Sequence, residues 1–514
     1  MRFLALIVLI VANIIGYAQQ VNDRNLFHYD EVKRLYLKAS INHSAFKNTY
    51  SDSVSGYVGL KRKSTNQPKF FVRPLLDLSF GVQNKSQSKL EGTGGGVEVQ
   101  FRHKNWKSGI SYLLNNQRYA AYQSAFINKN KVVPGMSVAS GTFGGRKRST
   151  YLSAFVNYTP IKYFELEAGY GRNFIGDGYR SLLLSDVANA SPYLKIQTKF
   201  WKIQYTNLFA SHRNIYNVEG RGELYEKKYT ASHYLDWKAT KWLSVGLFET
   251  IIWGAKEGNY TRGFDPNYAN PFIFYRPVEF SVGSSDNALV GANLKLTLGK
   301  THVLYSQLLF DEFLLNKLRA DVNQWRNPND SILSGWWGNK YGIQLGWTAF
   351  DLFKVKGLQA RVEFNMVRPY TYAHSSPTQA YSNDNISLAH PLGANFYEFL
   401  TRINYEVKRW NFSLNFHQSK QGLSSFLNNA GENLQISNEK VKVDSEYENQ
   451  VAQGVQVITR YTEASVSYLL SSKMGTTISA SYINRDQVYI RQTSNGSLLM
   501  LRIHSNLFSK YFDY

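Results

Sequence analysis

Residues 358–366 read LQARVEFNM, and the fold turns on how this run alternates. Leu358, Ala360, Val362, Phe364 and Met366 share one face of an extended chain, while Gln359, Arg361, Glu363 and Asn365 share the other. Successive side chains of a strand point to opposite faces, so this is a strand greasy on one side and charged on the other. The period recurs nearby. Tyr397, Phe399, Thr401, Ile403 and Tyr405 oppose Glu398, Leu400, Arg402, Asn404 and Glu406, and Trp410, Phe412, Leu414 and Phe416 oppose Asn411, Ser413, Asn415 and His417. Ala288 to Thr297 does the same. A soluble sandwich turns such a polar face outward, whereas a membrane barrel turns it into the lumen.

The connections separate the two. From about Phe70 onward, strand-like runs pair through short links at His103 to Asn105, Thr159 to Lys162, Phe200 to Trp201, Ala239 to Lys241, Gly299 to Thr301, Ala349 to Phe353, Lys408 and Ser471 to Lys473. Much longer segments lie between the pairs: Asn116 to Thr150, Arg172 to Ser191, His212 to Lys227, Gly254 to Ser285, Asn316 to Gly335, Arg368 to Gly393 and Lys420 to Gln456. A strict alternation of short turns and long loops is the mark of a transmembrane antiparallel outer-membrane barrel. The all-β fold expected has about 18 strands. A last run from Ser497 to Phe508 closes the sheet, followed by an aromatic terminus at Phe512 and Tyr514.

The first residues give the address. Arg2, the apolar run Phe3 to Ile15 and the small residues before Gln19 form a cleavable secretory signal. The expected organisation is a signal peptide at 1–18, an N-terminal helical or plug segment at 19–68 and a barrel at 69–514. Tyr29, Val32, Tyr36 and Ala39 recur near helical spacing between Asn22 and Tyr50. With no cysteine, stability has to come from one hydrogen-bonded framework. An aromatic fraction of 15% beside a mean hydropathy of -0.36 suits strands that are half wet and rimmed by Tyr and Trp. The net charge of +22 points to an acidic partner, either lipopolysaccharide phosphate or an anionic polysaccharide, and not nucleic acid, since no recognition motif for it is present.

One long connection stands apart. Residues 169–193 read GYGRNFIGDGYRSLLLSDVANASPY, rich in Gly, Arg and Asp with a short apolar run at Leu182 to Leu184, which suits an inward-folded constriction. Gly176, Gly178 and Pro192 are its expected turn residues. Other polar and aromatic clusters stand at strand ends. Together they nominate Arg172, Asp177, Tyr179, Arg180, Asp186, Arg276, Glu279, Asp311, Glu312, Trp336, Trp337, His390 and Glu398 as polysaccharide-binding residues. Aromatic faces stack on sugar rings, and Arg or carboxylates grip hydroxyls. Asp311 and Glu312 are adjacent and point to opposite strand faces, so they do not form a catalytic acid/base pair. The glycines at 92 and 94–96 lack the Lys-Ser/Thr of a phosphate loop, and the ten histidines lack ligand spacing. No cofactor, no metal and no catalytic residue are expected.

The run from Asn173 to Asp186, with Asn189-Ala190 and Pro192-Tyr193 after it, resembles the capsule-assembly outer-membrane proteins of the Wzi type. It is most similar to their Bacteroidetes branch, which includes RemB-like gliding motility proteins. Asn270-Pro271-Phe272, Arg276-Pro277 with Glu279, Asp286-Asn287, Asp311-Glu312-Phe313, Trp337 to Lys340 and His390 to Gly393 carry the resemblance along most of the chain. It implies an eighteen-stranded barrel with an N-terminal helical part and a largely blocked lumen, acting without catalysis as a surface lectin that holds exported polysaccharide. The expected setting is the outer membrane of a Gram-negative bacterium, loops extracellular and both termini periplasmic. Expected partners are membrane lipid and lipopolysaccharide, surface polysaccharide, and other cell-surface or secretion-system proteins. Two alternatives stay open: an adhesion or gliding component, and a sugar or solute porin.

Overall fold

The computed structural model describes residues 33, 36–37, 43–48 and 67–514, except 85–88, 142, 217, 219–221, 258–259, 274–285, 313, 328–332, 427, 439–445, 472–473, 490–491 and 506–510. The expected signal peptide and most of the N-terminal segment lie outside the described residues.

Eighteen antiparallel strands close into one barrel. They begin with β1 (Lys69–Gln83), β2 (Lys89–His103), β3 (Trp106–Gln117), β4 (Lys147–Ile161), β5 (Phe164–Gly171) and β6 (Ser191–Phe200). Next come β7 (Ile203–Asn214), β8 (Glu226–Trp237), β9 (Leu243–Gly254), β10 (Asn287–Leu298), β11 (His302–Phe310) and β12 (Tyr341–Phe350). The wall ends with β13 (Leu358–Val367), β14 (Phe396–Val407), β15 (Trp410–Leu423), β16 (Val455–Ser471), β17 (Thr476–Tyr489) and β18 (Gln492–Ser505). Pairing of Asp77–Gln83 with Leu498–His504 shuts the seam between β1 and β18 and leaves no open edge. Among the described residues no helix is long and apolar enough to cross a membrane.

The period-two reading holds along β13. Arg361, Glu363 and Asn365 are buried in the lumen. On β1 the outward positions Phe70, Val72, Leu76, Leu78, Phe80 and Val82 are all exposed, as a lipid-facing belt requires. The strict alternation of connections does not hold. The links 84–88 and 490–491 fall on the long-loop rim yet span only five and two residues.

Three departures shape the interior and exterior. Two long loops contain helices: α1 (Ala121–Asn130), where the Gln123 side chain accepts from the Ala120 N–H at 3.1 Å, and α2 (Leu315–Arg326). The N-terminal segment is helical at Lys33, Tyr36 and Leu37, but Phe46–Asn48 is a strand that pairs inside the barrel with Asn173–Ile175. Lys33 forms an ion pair with Asp351 of a short turn, so this segment reaches the lumen from the short-turn end. Finally, residues 260–273 lie on the outside of the wall. Phe264 packs on Phe209, Tyr229 and Trp253 at 5.6–6.2 Å between ring centres, and the Tyr205 hydroxyl donates to the Pro271 carbonyl. Beneath this strap runs an outward row of Asn207, His233 and Glu249 on β7, β8 and β9, each almost fully buried.

The aromatic terminus does not extend the last strand. Tyr511–Tyr514 lie within the lumen, where Phe512 packs on Tyr119 at 5.5 Å and Tyr514 meets Phe126 edge-on at 4.9 Å. The physical reason is Asp513, whose carboxylate finds an arginine there.

Candidate functional site

The loop from Arg172 to Ala190, between β5 and β6, is buried at every position. It folds down the lumen because its donors and acceptors meet polar residues on the inward faces of the wall. Glu363 on β13 accepts from the Tyr179 N–H at 2.8 Å and the Arg180 N–H at 3.1 Å, and from the Tyr305 hydroxyl at 2.8 Å. Gln307 on β11 accepts from the Leu182 N–H at 2.8 Å. Gly176, at a φ of 151°, is in a conformation that favours glycine, as expected of a turn residue. Gly178 differs. It serves by lacking a side chain, since a Cβ there would stand 2.5 Å from Glu363 Oε2. Pro192 sits at the start of β6, opposite Tyr170.

Arg180 is the centre. Its guanidinium donates to Glu398 on β14 at 3.0 Å and to Asp513 at 3.1 Å. Tyr179 donates its hydroxyl to the other Asp513 oxygen at 2.7 Å, and Tyr511 donates to Asp186 at 2.6 Å. His390 accepts at Nδ1 from the Leu392 N–H, which leaves its Nε2–H to donate to Glu398 at 2.7 Å. Burial lowers the His390 pKa from the imidazole value against the pull of Glu398, so the ring is neutral at pH 7. For Asp177, burial raises the pKa, but the Lys295 and Lys47 ammonium groups and hydrogen bonds from Ser44 and Asn293 outweigh it, and the net shift is downward. Arg172 closes the loop base by donating to the Asp186 carbonyl at 2.6 Å.

The nominated residues therefore divide into groups. Arg172, Asp177, Tyr179, Arg180, Asp186, His390 and Glu398 are all buried in the lumen plug, with no face turned to solvent. Asp311 accepts from the Tyr372 N–H at 2.6 Å, which pins a second inward loop whose Tyr372 and Tyr381 hydroxyls hold the Leu182 and Leu183 carbonyls. Glu312 pairs with Lys340 at 3.1 Å, and Trp336 and Trp337 pack together beside Tyr370, near the long-loop rim. Arg276 and Glu279 lie outside the described residues.

The pH behaviour of the plug follows from Asp513. Burial raises its pKa, yet Arg180 and His417 beside it and the Tyr179 hydroxyl bring it down to about 2. A depressed carboxyl stabilises fully above its unfolded pKa near 4 and loses that contribution only as pH falls through about 2. The pair with Arg180 is thus expected to stay intact at pH 4. Planar-bilayer recordings should show no new conductance between pH 7 and pH 4; a leak that opens at pH 5 would mean that this ion pair does not hold the plug.

Above the plug the barrel is open. A cavity of about 310 Å³ lies between α1, residues 385–393, residues 432–435 and the inward ends of β15, β16 and β17. That volume falls at the low end of small-ligand sites, about 300–1,000 Å³. Tyr122, Phe126, Tyr489 and Tyr514 supply aromatic faces, Gln421, Asn433 and Gln487 supply amides, and Lys129, Glu432 and Arg485 supply charge. Arg485 lies over the Tyr122 ring at 4.8 Å. Sequence reading passed over all of these. Gln487 and Arg485 were recoverable as inward positions of a strand, but nothing local marks α1 or Tyr514 as facing them across the lumen.

No protein-family model matches this chain, and no curated protein does. Among solved structures it is similar to Wzi of Escherichia coli, an outer-membrane protein involved in group 1 capsule assembly and a carbohydrate-binding β-barrel. Identity is 12%, over 83% of this chain and 84% of that one, with a TM-score of 0.48. It is also similar to OccK1 (OpdK) of Pseudomonas aeruginosa, at 8% identity over 84% and 97% of the two chains and a TM-score of 0.43. OccAB2 of Acinetobacter baumannii matches at 9% identity over 86% and 99%, with a TM-score of 0.44. These are likenesses of barrel architecture. Whether the barrel binds or transports has to be argued from its own lumen and mouth.

Proposed function

We propose that this outer-membrane barrel is a non-conducting, non-enzymatic binding protein that holds surface polysaccharide in the cavity at its long-loop rim. One observation carries the reading: the lumen is filled by a segment buried at every residue from Arg172 to Ala190, while directly above it an aromatic and amide-lined cavity stays open. Passage of solute would require breaking the Arg180 pairs, whereas binding from outside requires nothing to move. The cavity suits sugar rings, which present apolar faces to aromatics and hydroxyls to amides. Among the described residues its lining holds one carboxylate side chain, Glu432, where glycoside hydrolysis takes two. In this reading the long loops are extracellular.

The test is binding of polysaccharide from the host surface to purified protein at physiological and raised salt. Tyr122→Ala and Tyr489→Ala are each expected to weaken saturable binding roughly 10-fold, as loss of one stacking face implies. Trp337→Ala, packed on Tyr370 away from the cavity, is expected to bind as the native protein does. If Trp337→Ala abolishes binding and the tyrosine variants do not, the site lies around Trp337 and Tyr370 and not in the cavity. Open-channel conductance of the native protein would favour the porin alternative.

The adhesion or gliding reading takes the long mixed-charge segment Lys420 to Gln456 as a loop that contacts other proteins. Its described parts are tied to the rim, with Trp337 N–H donating to the Glu446 carbonyl at 3.0 Å and Asn449 N–H to that of Gly335 at 2.9 Å. That bonding favours a clasp over an extended arm, and the binding reading is preferred.

A further inference from the structure

The outer face of the wall carries a second feature. At the long-loop ends of β2, β3 and β4, four cations lie along one outward face: Lys89, Arg118, Arg146 and Arg148. Their placement is fixed by the pleat. Leu90 and Ser149 point inward and are buried, so Lys89 and Arg148 point outward, and Arg118 lies between the inward residues Gln117 and Tyr119. Register sets them on a diagonal across three strands. Lys89 is opposite Val82 at one end, the Arg118 N–H donates to the Glu91 carbonyl at 2.9 Å in the middle, where the Arg118 guanidinium also donates to the Gly144 carbonyl at 2.7 Å, and Arg148 is opposite Asn116 at the other end. One carboxylate, Glu91, is present and is engaged by Arg146. Lys89 and Arg148 are exposed.

Next to these cations on the same face the wall is apolar and exposed: Phe80 and Val82 on β1, Leu114 on β3 and Leu152 on β4. Cations bordering a lipid-facing apolar belt match one kind of ligand, an amphiphile with an anionic head and acyl chains. We propose that this face binds a phosphorylated lipid of the leaflet bordering the long loops. The phosphates sit among Lys89, Arg118 and Arg148, and the chains lie along Phe80, Val82, Leu114 and Leu152. Arg offers bidentate donors to phosphate oxygens, and each basic group near a membrane surface adds to the attraction for anionic lipid. A polysaccharide is disfavoured here because the cations face the membrane side of the wall, whereas the cavity residues face inward. The proposal does not depend on the cavity's function.

The experiment compares detergent-solubilised protein titrated with bisphosphorylated lipid A, with the same lipid stripped of phosphate, and with inorganic phosphate. The native protein is expected to bind the bisphosphorylated lipid at least 10-fold more tightly than the stripped one and to ignore millimolar phosphate. A Lys89→Gln, Arg118→Gln, Arg148→Gln triple variant is expected to lose about 100-fold in affinity for the phosphorylated lipid. Arg148→Gln alone, at an exposed position, should lose about 5-fold and serves where the triple variant folds poorly. Heat-modifiable electrophoretic mobility reports folding of both. Equal binding of phosphorylated and stripped lipid, or undiminished binding by a folded triple variant, would overturn the site. Competition by inorganic phosphate alone would overturn the lipid as ligand and leave a free-phosphate site.

Discussion

Replacing Arg180 by alanine is expected to turn a silent barrel into a leaky one. The guanidinium lies between two carboxylates, Glu398 at 3.0 Å and Asp513 at 3.1 Å, all of them buried. Removing one partner of a buried ion pair leaves the other charge uncompensated, at a cost of about 3–5 kcal/mol. That cost falls on the plug and not on the wall, whose strands are held by their own ladder. The loop and Tyr511–Tyr514 should therefore loosen while the barrel stays folded. Conductance steps in planar bilayers, expected to be absent from the native protein, are the readout. Arg180→Lys is expected to restore little, because an ammonium cannot serve two carboxylates with the planar fork of an arginine. Glycan binding should fall as well, since Tyr514 lines the cavity and is joined to Asp513. A variant that stays silent with unchanged binding would show that the plug stands without this pair.

The second large effect is expected at Glu363. Its carboxylate accepts two loop N–H groups, at 2.8 and 3.1 Å, the Tyr305 hydroxyl at 2.8 Å and the Asn365 amide at 3.0 Å. Glu363→Ala would strand four donors in a buried site, each worth about 1–3 kcal/mol when left unsatisfied, less whatever entering water recovers. A net loss of about 4 kcal/mol is expected, seen as a lowered thermal midpoint for loss of the plug's tertiary signal. Glu363→Gln keeps the shape but turns one acceptor into a donor that faces donors, so it should lose less than alanine but more than 1 kcal/mol. A glutamine variant as stable as the native protein would mean that the carboxylate's charge does not matter there.

Much of this was legible from local pattern. A period of two, as in 358–366, marks which residues face the lumen, and alternating loop lengths mark a barrel; both follow from the pleat and need no knowledge of distant residues. The loop around Arg180 stood out by composition, and it does fold inward. What it does there was not legible. A buried arginine that locks a plug and an exposed one that grips a sugar look alike in sequence, and the difference lies with Glu398 and Asp513, 218 and 333 residues away. The cavity went unseen for the same reason, since Tyr122, Arg485 and Tyr514 meet only across the lumen. The break in the alternation at the seam was missed because the links at 84–88 and 490–491 are short without being on the short-turn side.

The strap over β7, β8 and β9 bears on the order in which the molecule can enter its membrane. Asn207, His233 and Glu249 face outward in a row, and His233 lies within 2.7 Å of the Asn207 amide oxygen. A bare wall bearing a carboxylate at that position would meet hydrocarbon at a cost of several kcal/mol. The strands can be inserted early only if residues 260–273 travel with them and cover the row before lipid reaches it. Among the described parts of the wall, this makes β7 to β9 the section whose insertion is tied to its own connecting loop, and the seam, with its short links, the section free to close independently.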